Sequence, residues 1–236
     1  TWSTAIISRT SGGIKTDGTF WTWGNGSYGQ LGQNTINSPN NAGMSSPVQL
    51  PGTNWSKVSA SQLTLGAIKT DGTLWMAGIN GYGELGQNSA APNAYTGFSS
   101  PVQIPGTTWR SVTMDSNFTI GTKTDGTLWS WGRSYFGYTA QNNNTINYSS
   151  PTQIGTDTTW VGAKTNQQMT IASKTDGSLW AWGRNGRGQF GQNNKTNYSS
   201  PVQIPGSWLA SDGAAVNPVD METGAGYNVA GSLKSN

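Results

Sequence analysis

The sequence contains no cysteine and no histidine. The first absence excludes disulfides, thiolate nucleophiles and thiolate metal sites. The second excludes a Ser-His-Asp triad and the usual imidazole ligands of zinc. Glutamate occurs only at Glu84 and Glu222, and charged residues make up 10% of the chain with a net charge of +3. No basic cluster resembles a nucleic-acid-binding arm, and no apolar run of 18 residues predicts a membrane-spanning helix. The aspartates are left for hydrolysis or calcium binding, but nothing in their spacing selects either. The expectation is therefore a non-enzymatic protein without a cofactor or metal, which neither binds nucleic acid nor inserts into a membrane.

What is abundant is glycine, at 33 residues, and tryptophan, at 12. One ten-residue string recurs: KTDGTFWTWG from Lys15, KTDGTLWMAG from Lys69, KTDGTLWSWG from Lys123 and KTDGSLWAWG from Lys174. These lysines are 54, 54 and 51 residues apart, and the SSP triplets at Ser45, Ser99, Ser149 and Ser199 follow at 54, 50 and 50. A fixed period of this size marks one supersecondary unit written repeatedly. The units fall near 1–54, 55–108, 109–159 and 160–207, and residues 208–236 read as the start of a further, insertion-bearing repeat.

Within a unit, a run such as FTIGTK from Phe118 enters Thr-Asp-Gly and leaves through an alternating apolar run. Asp-Gly between two such runs predicts a hairpin, because glycine accepts the positive φ of a tight turn. Turn chemistry accounts for Asp17, Asp71, Asp125 and Asp176; the competing reading is a ring of catalytic or calcium-binding carboxylates. A Gly-rich corner, an Asn-rich loop and an SSPVQI-like run complete the unit. Helical periodicity is absent, and about four short strands per unit are the content of one β-propeller blade.

Five tryptophans open units (Trp2, Trp55, Trp109, Trp160, Trp208), and the other seven lie in the L-W-x-W segments. Such placement predicts packing between blades, with a stacking platform for ligands as the alternative. Ala77 stands where the other units carry Trp23, Trp131 and Trp182, which predicts a local cavity or a larger neighbour that fills it.

The corner and the run that follows it, W-G-x-N-x-x-G-Q-L-G and then P-V-Q-I, resemble the repeats of the regulator of chromosome condensation family. The likeness covers about Thr1 to Trp208, with the glycines kept at 24–32, 78–86 and 183–191. The third corner departs from the pattern, reading Phe136-Gly137-Tyr138-Thr139-Ala140. Kelch propellers, of similar period, are less similar. The resemblance implies an all-β propeller of four-stranded blades, about four of them present, within a ring usually of seven. The two termini read as interruptions of the repeat, Lys234-Ser235-Asn236 resembling a halted KTDG string, so part of a longer protein is expected; a small ring closed by its own ends is the alternative. The family also implies candidate activities: guanine nucleotide exchange, or protein inhibition of the kind exerted by a secreted propeller on β-lactamase.

Fold alone does not choose among these, and the variable positions carry the function. The residue before the second corner glycine is Tyr28, Tyr82, Phe136 or Arg187, and Arg133 and Arg184 follow the first glycine of their corners. These six are the candidate binding residues; aromatics and arginine are common interface anchors, and strand-end packing is the other reading. The loops 33–44 and 87–98 are about four residues longer than 141–148 and 192–198. Residues 209–227 form an insertion with a loose acidic cluster of Asp212, Asp220 and Glu222. Abundant Asn, Ser, Thr and Gly, with seven Asn-x-Ser/Thr sequons, resembles external, assembled proteins, and near-identical repeats resemble propellers of environmental bacteria and phages. The expectation is a structural or binding propeller on a virion or cell surface, engaging a protein, a neighbouring subunit or a glycan through its face loops.

Overall fold

The computed structural model describes residues 1–206 and Trp208, apart from positions 7, 36–42, 92, 94, 95 and 167. The insertion at 209–227, its acidic cluster and the Lys234–Asn236 string lie outside the described residues, as does part of the first long loop. The described chain forms four antiparallel four-stranded sheets in sequence order. The first holds β1 (Trp2–Ile6), β2 (Thr10–Lys15), β3 (Phe20–Asn25) and β4 (Gly43–Gln49). The second holds β5 (Trp55–Ala60), β6 (Thr64–Lys69), β7 (Leu74–Ile79) and β8 (Gly97–Gln103). The third holds β9 (Trp109–Met114), β10 (Phe118–Lys123), β11 (Leu128–Gly132) and β12 (Tyr148–Gln153). The fourth holds β13 (Trp160–Asn166), β14 (Met169–Lys174), β15 (Leu179–Gly183) and β16 (Tyr198–Ile204).

Each sheet is a meander, so it is one propeller blade. The opening strands β1, β5, β9 and β13 neighbour one another from blade to blade and form the inner wall. The third corner differs from the others: a 3₁₀ turn at Tyr135–Gly137 places Phe136 at φ 56°, a left-handed conformation that costs a side chain about 1–2 kcal/mol.

The repeated string builds the joints between blades. In the third blade, Asp125 Oδ1 accepts hydrogen bonds from the Thr127 amide (3.0 Å) and hydroxyl (2.7 Å), and Thr127 Oγ1 accepts one from Trp129 Nε1 (2.8 Å). The same chain runs from Asp17 to Trp21, from Asp71 to Trp75 and from Asp176 to Trp180. Each lysine lies over two indoles; Lys123 Nζ is 4.9 Å from the Trp109 ring centroid and 3.9 Å from that of Trp129. The turn glycine then reaches forward: Gly126 O accepts the Trp160 amide at 3.1 Å, as Gly18 accepts Trp55, Gly72 accepts Trp109 and Gly177 accepts Trp208. In return Thr124 N donates to Thr108 O at the start of its own blade. Every hairpin therefore closes a turn and also holds the next blade's first strand.

The core lies between the sheets. Trp131 and Trp182 are fully buried, and each donates backward across a junction, Trp131 Nε1 to Glu84 O (2.7 Å) and Trp182 Nε1 to Tyr138 O (2.9 Å). Their neighbours Trp129 and Trp180 are only half-buried and pack on the opening indoles Trp109 and Trp160. At the missing tryptophan the larger neighbour is present. Cross-strand partners are Ser11 for Trp23, Thr119 for Trp131 and Thr170 for Trp182, but Leu65 for Ala77. Leu65 and Ala77 are both buried, and the narrow apolar gap around them has no room for a water molecule. Volume lost on one strand is regained on the other.

Candidate binding face

A meandering blade sends alternate connections to opposite sides. The Asp-Gly hairpins and the inter-blade linkers share one side; the short turns after the inner strands and the Gly-rich corners share the other. On the hairpin side the aspartates are committed to their turns, and the Thr or Ser hydroxyl bond, then the amide bond, holds each carboxyl below its usual range. Among the described residues no group of three or more acidic side chains is placed to hold a metal ion.

The corner side brings four of the six candidate residues together. Arg133 reaches back from the third blade, its guanidinium carbon 4.7 Å from the Tyr82 ring centroid and 4.9 Å from that of Tyr135. Tyr135 packs on Phe136 at 4.0 Å between centroids, and Arg184 of the fourth blade lies 5.4 Å from the Phe136 ring. Arg184 Nη1 also donates to Gln168 Oε1 at 2.6 Å. Cationic planes and rings thus alternate across three blades. Tyr28 occupies the same corner of the first blade, but the second blade there offers Ile79 in place of an arginine. Arg187 is exposed at the fourth corner, outside this ladder.

Tyr135, 49% exposed, is the most open ring of the ladder, and the sequence reasoning passed over it. Its signal was available: it occupies the place of the small residues Ser27, Gly81 and Gly186 in the other corners. A second overlooked residue is Glu84, which stands where the first and fourth blades carry Gln30 and Gln189. All three side chains accept the amide two residues earlier, that of Tyr28, Tyr82 or Arg187, at 2.8 Å. The carboxylate is fully buried, and its Oε1 has no partner. Burial pushes the Glu84 pKa up to about 7, against the backbone amides and nearby Arg133, which lower it.

The sign of the consequence follows from linkage. An acid whose folded pKa lies above its unfolded value is fully tolerated below about pH 4.5, and it destabilises increasingly as pH rises toward 7. Glu84→Gln, which the equivalent positions already accept, is expected to leave stability at pH 4 unchanged and to raise it by about 2–3 kcal/mol at pH 8. Urea unfolding of both proteins across this range checks it: parallel curves would show that Glu84 is not the titrating group.

Comparison with known proteins agrees with this architecture. The family model "Regulator of chromosome condensation (RCC1) repeat" matches residues 17–64 and 176–230. "Regulator of chromosome condensation" of Xenopus laevis is 24% identical over 229 residues, covering 88% of this chain and 53% of that protein. "Ultraviolet-B receptor UVR8" of Arabidopsis thaliana is 27% identical over 215 residues, covering 86% and 45%. Among solved structures, Prp20p from Saccharomyces cerevisiae, described with its binding to Gsp1p and histones, superposes with a TM-score of 0.71 at 16% identity, over 84% of this chain and 49% of that one. The chain spans about half the length of the relatives it matches. The four sheets and their joints define a β-propeller protein. Over residues 17–64 and 176–230 its blades match the regulator of chromosome condensation repeat.

Proposed function

We propose that this protein is a non-enzymatic binding propeller whose corner side engages an acidic segment of a protein partner or neighbouring subunit. The observation that carries this reading is the ladder of Tyr82, Arg133, Tyr135, Phe136 and Arg184, which leaves aromatic and guanidinium surface open while the hairpin residues are occupied in holding blades together. Phe136 is held in a costly left-handed conformation within it, and strain of this kind gathers at functional sites. Charge favours an acidic partner: Arg9, Arg187 and Lys195 are exposed on the same side, where Asp115 is the one acid with solvent access among the described residues. The relatives' names support protein binding in general. The composition supports display on a virion or cell surface, and near-identical repeats support a bacterial or phage origin. Guanine nucleotide exchange, which the family resemblance implies, is the competing reading.

The test compares wild type with a variant carrying alanine at Tyr82, Arg133, Phe136 and Arg184. Its melting temperature is expected to stay within a few degrees of wild type, while capture by purified source particles weakens by about 2 kcal/mol per anchor. A variant that binds those particles as wild type does would remove the corner side as the site. Stimulated nucleotide release from a small GTPase, abolished by the same substitutions, would establish the exchange reading.

A further inference from the structure

The junction between the third and fourth blades is built differently from the two before it, and the differences converge. The first two linkers read Leu50-Pro51-Gly52-Thr53-Asn54 and Ile104-Pro105-Gly106-Thr107-Thr108, whereas the third reads Ile154-Gly155-Thr156-Asp157-Thr158-Thr159, one residue longer and without proline. At the first two junctions the opening indole is tied to the linker, Trp55 Nε1 to Pro51 O at 3.1 Å and Trp109 Nε1 to Pro105 O at 3.2 Å. Trp160 is 3% exposed, and its Nε1 has no acceptor. Trp208, flanked by residues outside the description, is the other opening indole without one. Gly155 takes the place of Pro51 and Pro105, and an added Cβ on it would meet nothing within 4 Å.

A second tie is also missing. Ser100 Oγ donates to Asn34 Oδ1 and Ser150 Oγ to Asn88 Oδ1, both at 3.0 Å, but the equivalent Ser200 and Asn142 side chains make no such bond. The main-chain bond beside them is kept, Asn142 N to Ser199 O at 2.7 Å, so the backbones remain in register and only the side chains are released. These freed groups border one open groove of about 560 Å³, lined also by Asp157, Lys174 and the half-buried Trp180. Asp157 Oδ2 and Lys174 Nζ, 2.5 Å apart, form the one ion pair among the described residues.

We infer that this groove is a saccharide-binding site, which takes a pyranose ring at the third junction. Its volume falls in the range of small-ligand sites. Sugar hydroxyls both donate and accept, and the groove offers both partners: the Asn142 amide and Lys174 on one hand, Asp157 and Ser200 on the other. Lys174 Nζ lies 4.2 Å from the Trp180 ring centroid, so the other face of this indole is the apolar surface against which a ring's C–H face packs. A neutral ligand is favoured, because the charges of Asp157 and Lys174 cancel in their ion pair. The inference is independent of the corner-side reading.

The experiment is a titration of the ¹⁵N-labelled full chain with methyl α-glucopyranoside, mannopyranoside and galactopyranoside and with N-acetylglucosamine, following the indole N–H resonances. One resonance, identified by its loss in Trp160→Phe, is expected to move saturably for at least one sugar, with a Kd near 1 mM, as a small ligand in an open groove gives. Asn142→Gly, which suits the left-handed backbone there (φ 53°), and Asp157→Asn are each expected to weaken binding about tenfold. Replacing the linker by the Pro-Gly-Thr form of the second junction is expected to abolish it while the other indole resonances keep their positions. No shift with any of the four sugars at about 50 mM, an equal response to glycerol, or unchanged affinity in both Asn142→Gly and the linker variant would each overturn the inference.

Discussion

Gly126→Val is expected to lower stability by about 4 kcal/mol or more, enough to unfold the chain or detach its fourth blade. Two costs combine. The residue sits at φ 80°, where a β-branched side chain is strained, and its Cβ would fall 1.9 Å from Thr158 O in the linker that enters the fourth blade. That linker cannot retreat without breaking the bond from the Trp160 amide to Gly126 O. Asp125→Asn tests the same turn gently, because asparagine also accepts the Thr127 amide, and a loss below about 1 kcal/mol is expected. Chemical denaturation of both variants decides it. A Gly126→Val protein with wild-type stability would mean that the hairpin does not hold the next blade.

Trp131→Ala is expected to cost about 3–5 kcal/mol, through an apolar cavity and the loss of the Nε1 bond to Glu84 O. Trp129→Ala, two residues away, is expected to cost about 1–2 kcal/mol, because its ring is half-buried and its removal exposes Lys123 rather than hollowing a core. Thermal unfolding of the pair checks the ranking: equal losses would show that the two positions on this face of β11 contribute alike.

Much of this architecture is legible in the residues. The hairpins were readable because Asp-Gly has few uses outside a tight turn. The exchange of Thr and Trp for Leu65 and Ala77 was readable as a volume problem, although the partner's identity needed the strand register. The Arg133 ladder was only half legible: Tyr82 and Arg133 stand out at variable corners, but their separation of 51 positions hides that one blade's arginine covers the previous blade's tyrosine. The released groups at the third junction were not legible at all. Gly155 for proline looks like loop drift until the neighbouring junctions show which hydrogen bonds it removes.

Because each hairpin clamps the strand that follows it, the unit of cooperativity is the joint and not the blade. Stability should then propagate as in a linear chain of nearest-neighbour couplings, with every interior blade held from both sides. Amide exchange is expected to quicken in β10 and β14 together when the hairpin at Gly126 is weakened, and a change confined to β10 would mean that blades are independent modules.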